Sequence, residues 1–139
     1  MTVSLSLVIP GRPPTKKNSR TVVGGKIVGV SKSYKAYHDF CIGTKRRPGW
    51  LCQWGNIQFE GPVHVKADYW LPNYANWPDL VGLLQASGDI LEAGGLIEND
   101  RNIVSWDGSR IAGIDRDNPR AMITIVECDQ PEWWRRGDE

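Results

Sequence analysis

The pattern of apolar and polar residues in the first third of the chain predicts a strand, a hairpin and a helix. Residues 3–9 are apolar or alternate with serine and stop at a Pro-Gly pair, which is typical of a strand followed by a turn. Two β-branched runs within residues 20–30 flank a Gly-Gly pair and indicate a β-hairpin. Behind a serine cap, residues 33–45 place two tyrosines and a cysteine at helical spacing, so we expect a helix there.

The middle of the chain contains two strand candidates after an irregular stretch. Residues 46–56 have no clear period and predict an exposed connection that is rich in tryptophan. Residues 56–60 and 62–71 have the composition of strands and are separated by a Gly-Pro pair. In the second of these segments, alternate apolar residues predict one buried face, formed by Val63, Val65, Ala67 and Tyr69.

The strongest helix signal in the chain follows residues 73–79, where a proline and two asparagines break the strand pattern. An apolar stripe with i, i+3, i+4, i+7 spacing runs along this helix and comprises Leu80, Leu83, Leu84, Ser87, Ile90 and Leu91. Two glycines at 94–95 predict where the helix stops.

The last third of the chain contains only strand signals. Residues 102–106 and 109–114 predict two short strands, and the Asp107-Gly108 turn between them indicates a hairpin. Residues 121–127 predict a final strand. The order of the elements, with strands and helices mixed along the chain, predicts the α/β (α+β) class.

The size and composition of the chain favour one globular domain. With 139 residues, of which 40% are hydrophobic and 24% charged, the chain is large enough for one core and too polar for a membrane protein. We expect a single mixed-sheet domain with two main helices at residues 1–128 and a C-terminal tail at 129–139. No apolar run reaches the ~20 residues that span a bilayer, and residues 3–9 lack the features of a signal peptide, so we expect a cytoplasmic protein.

The charged residues are distributed unevenly along the chain. Residues 1–50 contain ten Lys or Arg and one acid, Asp39, which gives them a net charge of +9, and the total of +1 leaves −8 for the remainder. Clustered cations neutralise phosphates and release counterions, so this asymmetry favours a polyanionic partner. A solvated surface with scattered charges is the alternative explanation.

One long segment carries a recognisable pattern. Residues 78–101 have the sequence PDLVGLLQASGDILEAGGLIENDR, and the opening residues 9–20 have the sequence IPGRPPTKKNSR. With the SYKAYHDF segment that follows, these stretches resemble the RusA family of crossover-junction endonucleases over roughly residues 3–127. The positions that fall in register with the family's central pattern are Pro78-Asp79-Leu80, Leu83, Asp89-Ile90-Leu91, Ala93-Gly94 and Asn99-Asp100-Arg101.

The resemblance implies metal-dependent hydrolysis of phosphodiesters in branched DNA. Mg²⁺, or alternatively Mn²⁺, performs this chemistry when carboxylates hold it against the scissile phosphate. Asp79 and Asp100 are the implied metal ligands and catalytic residues, although Asp79 taken alone fits a helix N-cap better than a metal ligand. Asp89 is a third catalytic candidate, but ten residues of helix place it ~15 Å from Asp79 along the axis, too far to share one ion.

Two positions depart from the family pattern. Val81 stands where the family has a second acidic residue, and Gln85 stands where it has a catalytic lysine. On a helical wheel both residues lie away from the apolar stripe, on the side that faces an active cleft or a partner. Glu98 and Asn99, next to Asp100, either complete a weaker metal site or belong to a solvated turn.

The resemblance and the charge asymmetry together assign the DNA contacts to the first third of the chain. The candidate phosphate-binding residues are Arg12, Lys16, Lys17, Arg20, Lys32 and Lys35. Tryptophans offer faces for unpaired bases but are more commonly core residues; those considered are Trp50, Trp54, Trp70, Trp77 and Trp106.

Three functional hypotheses follow. The first is a Mg²⁺-dependent endodeoxyribonuclease that resolves Holliday junctions by paired nicks and, because a four-way junction has two-fold symmetry, works as a homodimer. The second is a branched-DNA-binding protein that has lost catalysis through Val81 and Gln85. The third is a phage-encoded protein that binds a host protein and has little affinity for DNA.

Overall fold

A computed structural model describes residues 2–15, 32–129 and 132–134, together with the backbone of residues 20–23 and 26–30. Its strands are β1 (Ser4–Pro10), β2 (Arg20–Val23), β3 (Lys26–Val30), β4 (Gly43–Thr44), β5 (Arg47–Pro48), β6 (Val63–Leu71), β7 (Ile103–Ser105), β8 (Arg110–Ile114) and β9 (Arg120–Glu127). Its α-helices are α1 (Lys32–Ile42) and α2 (Leu80–Ala93), and 3-10 helices span Trp50–Trp54 and Asp100–Asn102.

The main sheet is mixed, as the sequence predicts. Strand β9 lies in the centre and pairs antiparallel with β1 on one side and with β6 on the other. Strands β7 and β8 both pair in parallel with the remaining edge of β6. The predicted class, a single α+β domain with two helices and a mixed sheet, is therefore confirmed.

The core lies between this sheet and the helices. The predicted alternation in β6 is confirmed, because Val63, Val65, Ala67 and Tyr69 are all buried. The stripe of α2 also faces the core: Leu83, Ile90 and Leu91 are fully buried, and Leu80 and Leu84 are half-buried. The Tyr69 hydroxyl joins the two layers, donating to the Leu83 carbonyl oxygen at 3.2 Å and lying 2.7 Å from Ser87 Oγ.

The segment after α1 is more regular than the sequence indicates. The helix ends at Ile42, three residues before its predicted end, because Gly43 adopts a φ of 96°. A Cβ at Gly43 would also lie 2.6 Å from the Gly49 nitrogen, so no other residue fits this turn. The residues that follow form the small β4–β5 hairpin and a 3-10 helix, not an irregular connection.

The prediction of a hairpin at Asp107-Gly108 is wrong. Strands form on both sides of this turn, but β7 and β8 run in the same direction along β6. The Ser109 N–H donates to the Trp106 carbonyl oxygen at 3.0 Å, which closes a tight turn between β7 and β8. The chain keeps its direction through this turn. Since β9 occupies the other edge of β6, β7 pairs with the start of the free edge and β8 with its end.

Three other predictions have mixed outcomes. Residues 56–60 form only an isolated bridge, between Phe59 and Ile97. The backbone of residues 20–30 pairs as the predicted hairpin, and its Gly24-Gly25 turn lies outside the described residues. Most of the tail is likewise outside them. Within the described part of the chain, no helix is long and apolar enough to cross a membrane.

Helix α2 offers a direct test of the core. Replacing the buried Leu83 with alanine should lower the free energy of unfolding by about 2–5 kcal/mol, because a cavity remains against β6. Val81→Ala, two residues earlier on the exposed face, should change it by less than about 0.5 kcal/mol. Urea unfolding followed by circular dichroism measures both values, and equal losses would contradict this packing.

Candidate functional site

Asp79 begins helix α2 as its N-cap. Its backbone is extended, and its Oδ1 accepts a hydrogen bond from the Gly82 N–H at 3.2 Å. This bond satisfies one of the backbone donors that the first turn of a helix leaves open. The capping role that the sequence allows for Asp79 is thus confirmed, and its carboxylate remains on the protein surface.

Gly82 creates the space for this cap. A Cβ at Gly82 would lie 2.5 Å from Asp79 Oδ1 and 3.1 Å from the Thr15 side chain. Thr15 is buried against the first turn of α2, so the loop after β1 reaches the same place as Asp79. Lys16 and Lys17 follow Thr15 directly in the sequence but lie outside the described residues.

Asp100 approaches α2 at a second glycine. Its Cβ lies 3.7 Å from the point where a Gly88 Cβ would stand, and the Trp106 ring lies at the same distance. The Asp100 N–H donates to Glu92 Oε1 at 2.8 Å. The 3-10 helix that Asp100 opens is capped by Asn99, whose Oδ1 accepts from the Arg101 N–H at 3.0 Å.

The two aspartates are attached to different turns of α2. Their contact points, Gly82 and Gly88, are six residues apart, which is about 9 Å along a helix. Oxygens that share one Mg²⁺ lie within about 4 Å of each other, since each Mg–O distance is about 2.1 Å. A shared ion therefore requires both side chains to reach toward the stretch of α2 between these contacts.

Val81 lies just before this stretch and Gln85 lies within it, and both are exposed, as the helical wheel predicts. The other residues between Gly82 and Gly88 are buried or half-buried. Val81 presents 60% of its surface to solvent. The donor chemistry fits magnesium, because carboxylate and amide oxygens are its usual protein ligands, but the donors are few. Among the described residues, no group of three or more His, Cys, Asp or Glu is arranged to hold a metal ion.

Asp89, the third catalytic candidate, contacts helix α1. Asp89 lies one residue after Gly88, about 100° further around the helix, and accepts a hydrogen bond from the Tyr34 hydroxyl at 2.7 Å. Burial, and then the hydrogen bond to Asp89, raise the pKa of Tyr34 well above its usual value. Asp89 thus links α2 to α1 through a neutral phenol.

Glu92 is a neighbour of Asp100 that sequence analysis missed. It lies seven residues after Gln85, which places it on the same side of α2, and it accepts the Asp100 N–H. The seven-residue spacing from Gln85 could have shown from the sequence that Glu92 lies on this side of the helix. Its contact with Asp100 could not be predicted, because it depends on how the chain folds back after the helix. Glu98 instead donates its backbone N–H to the Phe59 carbonyl oxygen, next to the isolated bridge.

The predicted phosphate-binding residues are only partly described. Arg12 donates from Nη2 to the backbone carbonyl oxygens of Ala75 and Asn76, at 2.6 and 3.4 Å. Lys35 forms an ion pair with Asp39 at 2.8 Å, one turn further along α1. Lys32 is exposed at the start of the same helix, and for Arg20 the structure describes the backbone alone.

A groove of about 760 Å³ opens beside the N-terminus of α2. Its walls come from three places: the loop after β1, helix α1 and the segment between β6 and α2. Arg12, Tyr37, Trp77 and Pro78 are among the lining residues, and Asp79 follows Pro78 directly. The groove therefore lies between Arg12 of the first basic loop and Pro78, the residue before the candidate metal ligand.

Most of the tryptophans considered as stacking residues have structural contacts. Trp50 Nε1 donates to the Val8 carbonyl oxygen at 2.7 Å, and Trp54 packs against the core. The Arg120 guanidinium covers the Trp70 ring at 5.0 Å, and Trp106 packs near Gly88. Trp77 differs, because it projects from the groove wall and stacks on another exposed aromatic ring.

Compared with protein-family models and with curated protein sequences, the chain shows no significant match to either. The resemblance to RusA nucleases therefore rests on the segments quoted above. The fold that it implies agrees with the observed mixed sheet and two helices, and the activity that it implies stays a prediction.

Substitutions at Asp79 separate its capping role from any metal-binding role. Asp79→Ala should lower the free energy of unfolding by about 0.5–2 kcal/mol, because the Gly82 N–H loses its acceptor. Asp79→Asn keeps a side-chain oxygen and should retain most of that stability while removing the negative charge. Urea titrations without metal compare the variants, and equal stability of Asp79→Ala and the wild type would contradict the cap.

Proposed function

We propose that this chain is a metal-dependent endodeoxyribonuclease that cuts four-way junctions or related branched DNA. The observation that carries the proposal is the arrangement around α2: Asp79 caps this helix, Asp100 packs near Gly88, and Val81 and Gln85 on the same helix are exposed. Asp79 and Asp100 are the proposed metal ligands. Both residues are exposed, so a DNA strand can reach their carboxylates.

The bound Mg²⁺ would polarise the scissile phosphate and lower the pKa of a bound water. The residues of the chain itself would position the metal ligands and contact the phosphate. Asp79 is fixed at the helix N-terminus by its bond to Gly82, and Glu92 holds the backbone at Asp100. Gln85 offers an amide that donates a hydrogen bond to a phosphate oxygen, although it supplies no charge.

The proposed substrate follows from charge and symmetry. The net charge of +9 in residues 1–50 supports contacts to phosphates, which position a protein on DNA without reading its sequence. A four-way junction presents two equivalent strands for cleavage, so a homodimer with two sites matches it. We therefore propose branched DNA as the partner and two-fold pairing of the chain as the active state.

A second candidate function has an observation in its favour. Val81 is exposed and apolar where a nuclease of this type carries an acid, and the described residues provide no three-ligand metal site. Both features are compatible with a protein that binds branched DNA without cutting it. Such a protein would protect junctions or recruit another factor.

Cleavage of a labelled synthetic four-way junction in Mg²⁺ and in Mn²⁺ tests the nuclease proposal. Paired nicks should appear with the wild type and fall at least about 100-fold in Asp100→Asn, because a carboxylate ligand is lost. Gln53→Ala, in the 3-10 helix after the β4–β5 hairpin, is the matched control and should cut like the wild type.

The double variant Val81→Asp with Gln85→Lys distinguishes the two candidates. Tight, salt-sensitive junction binding by an inactive wild type, together with nicking by the double variant, would establish a binding protein that retains the scaffold. Failure of both proteins to bind junctions would contradict both candidates and favour the hypothesis of a protein partner.

A further inference from the structure

The segment between β6 and α2 exposes two stacked aromatic rings. The ring centroids of Tyr74 and Trp77 are 5.6 Å apart, and their planes meet at 24°. Tyr74 is 79% exposed and Trp77 is 47% exposed, the first being the most exposed large apolar side chain among those described. Leaving this much aromatic surface in water contributes little to folding, so packing of the domain does not account for the pair.

The backbone under these rings is held by several contacts. Asn73 Oδ1 accepts the Ala75 N–H at 3.0 Å, and Asn76 adopts a left-handed φ of 51°. Arg12 then donates to the carbonyl oxygens of Ala75 and Asn76. Because the loop is ordered before any ligand arrives, binding to the rings costs little conformational entropy.

The location of the pair connects it to the candidate site. Trp77 lines the groove that also contains Arg12 and Tyr37, and Asp79 lies only two residues beyond Trp77. Arg12 of the basic loop lines the same groove and donates to the backbone at Ala75 and Asn76. The pair thus lies beside a basic side chain and close in sequence to a proposed metal ligand.

We propose that Tyr74 and Trp77 form a stacking platform for one unpaired base at the branch point of DNA. The inference rests on the proposed function and specifies how that site recognises a branch. An unpaired base has an open aromatic face, whereas the bases of continuous duplex stack on one another and offer none in the interior. The adjacent Arg12 and the positive charge of residues 1–50 favour a nucleotide over an apolar peptide as the occupant.

The other exposed stacked pair within the described residues is less suited to this role. Phe40 and Trp50 are 5.6 Å apart with an angle of 20° between their planes. Trp50, however, is tied to β1 through its bond to the Val8 carbonyl oxygen, and its ring also packs edge-on against Trp54. This pair therefore serves the packing of the 3-10 helix on the domain.

Affinity for junction and duplex DNA tests the platform in the full-length chain. Trp77→Ala should weaken binding of a synthetic four-way junction by about 5- to 100-fold, as loss of one base–aromatic stack does, and should leave binding of a continuous duplex within about 2-fold. Trp77→Phe should restore most of the junction affinity. Trp133→Ala, which removes another exposed tryptophan, should bind like the wild type.

Photocrosslinking gives an independent measurement. A junction with 5-iododeoxyuridine at the branch point should crosslink to the peptide that contains Tyr74 and Trp77, because the photochemistry requires contact with an aromatic ring. The same base placed well inside an arm should not crosslink there. Tyr74→Ala serves as a second variant, and circular dichroism of each variant verifies that it is folded.

The outcomes for the platform and for the nuclease are separable. If the wild type binds and nicks junctions but both alanine variants bind them normally and no crosslink forms at residues 74–77, the platform is excluded and the nuclease stands. Equal weakening of junction and duplex binding also overturns it. If the wild type binds neither DNA, the proposed function fails together with the platform.

Discussion

The packing of Tyr69 against α2 is the constraint on which the rest of the site depends. Its ring is almost fully buried, and a buried phenol must find hydrogen-bond partners. The partners are the Leu83 carbonyl oxygen and Ser87 Oγ, one turn apart on α2. This contact, with the apolar stripe around it, fixes the rotation of the helix about its axis. Val81 and Gln85 then face outward because residues 83 and 87 face inward.

One glycine in the first turn of this helix shapes the site. Gly82 lacks the Cβ that would collide with Asp79 Oδ1 and with the Thr15 side chain, so both pack closely there. A Cβ at Gly88 would meet Asp100 at 3.7 Å, an ordinary contact, so Asp100 does not require a glycine at that position. A glycine inside a helix costs about 1 kcal/mol relative to alanine. At Gly82 this cost is offset, because a segment distant in sequence can approach the helix closely. A Cβ there would also collide with the Asp79 cap.

The elements predicted correctly are those whose signals are local. The alternation in β6 and the stripe of α2 depend only on residues within one element, and both were located within a residue or two. The turn at Asp107-Gly108 was misjudged because its direction depends on which edge of β6 is free. Similarly, the tie between Asp89 and Tyr34 joins residues 55 positions apart, which no local pattern encodes.

The identity of the exposed residues at positions 81 and 85 is not determined by packing in the core. A valine exposed on a helix is less favourable than most residues, since its branched side chain loses rotamer freedom. An aspartate at position 81 would lie in the first turn, where the helix dipole favours negative charge. Stability therefore does not explain Val81. Gln85, in contrast, is a residue that helices accommodate well. Under the proposed function, the side chains at positions 81 and 85, rather than the fold, decide whether this helix cuts DNA or only binds it.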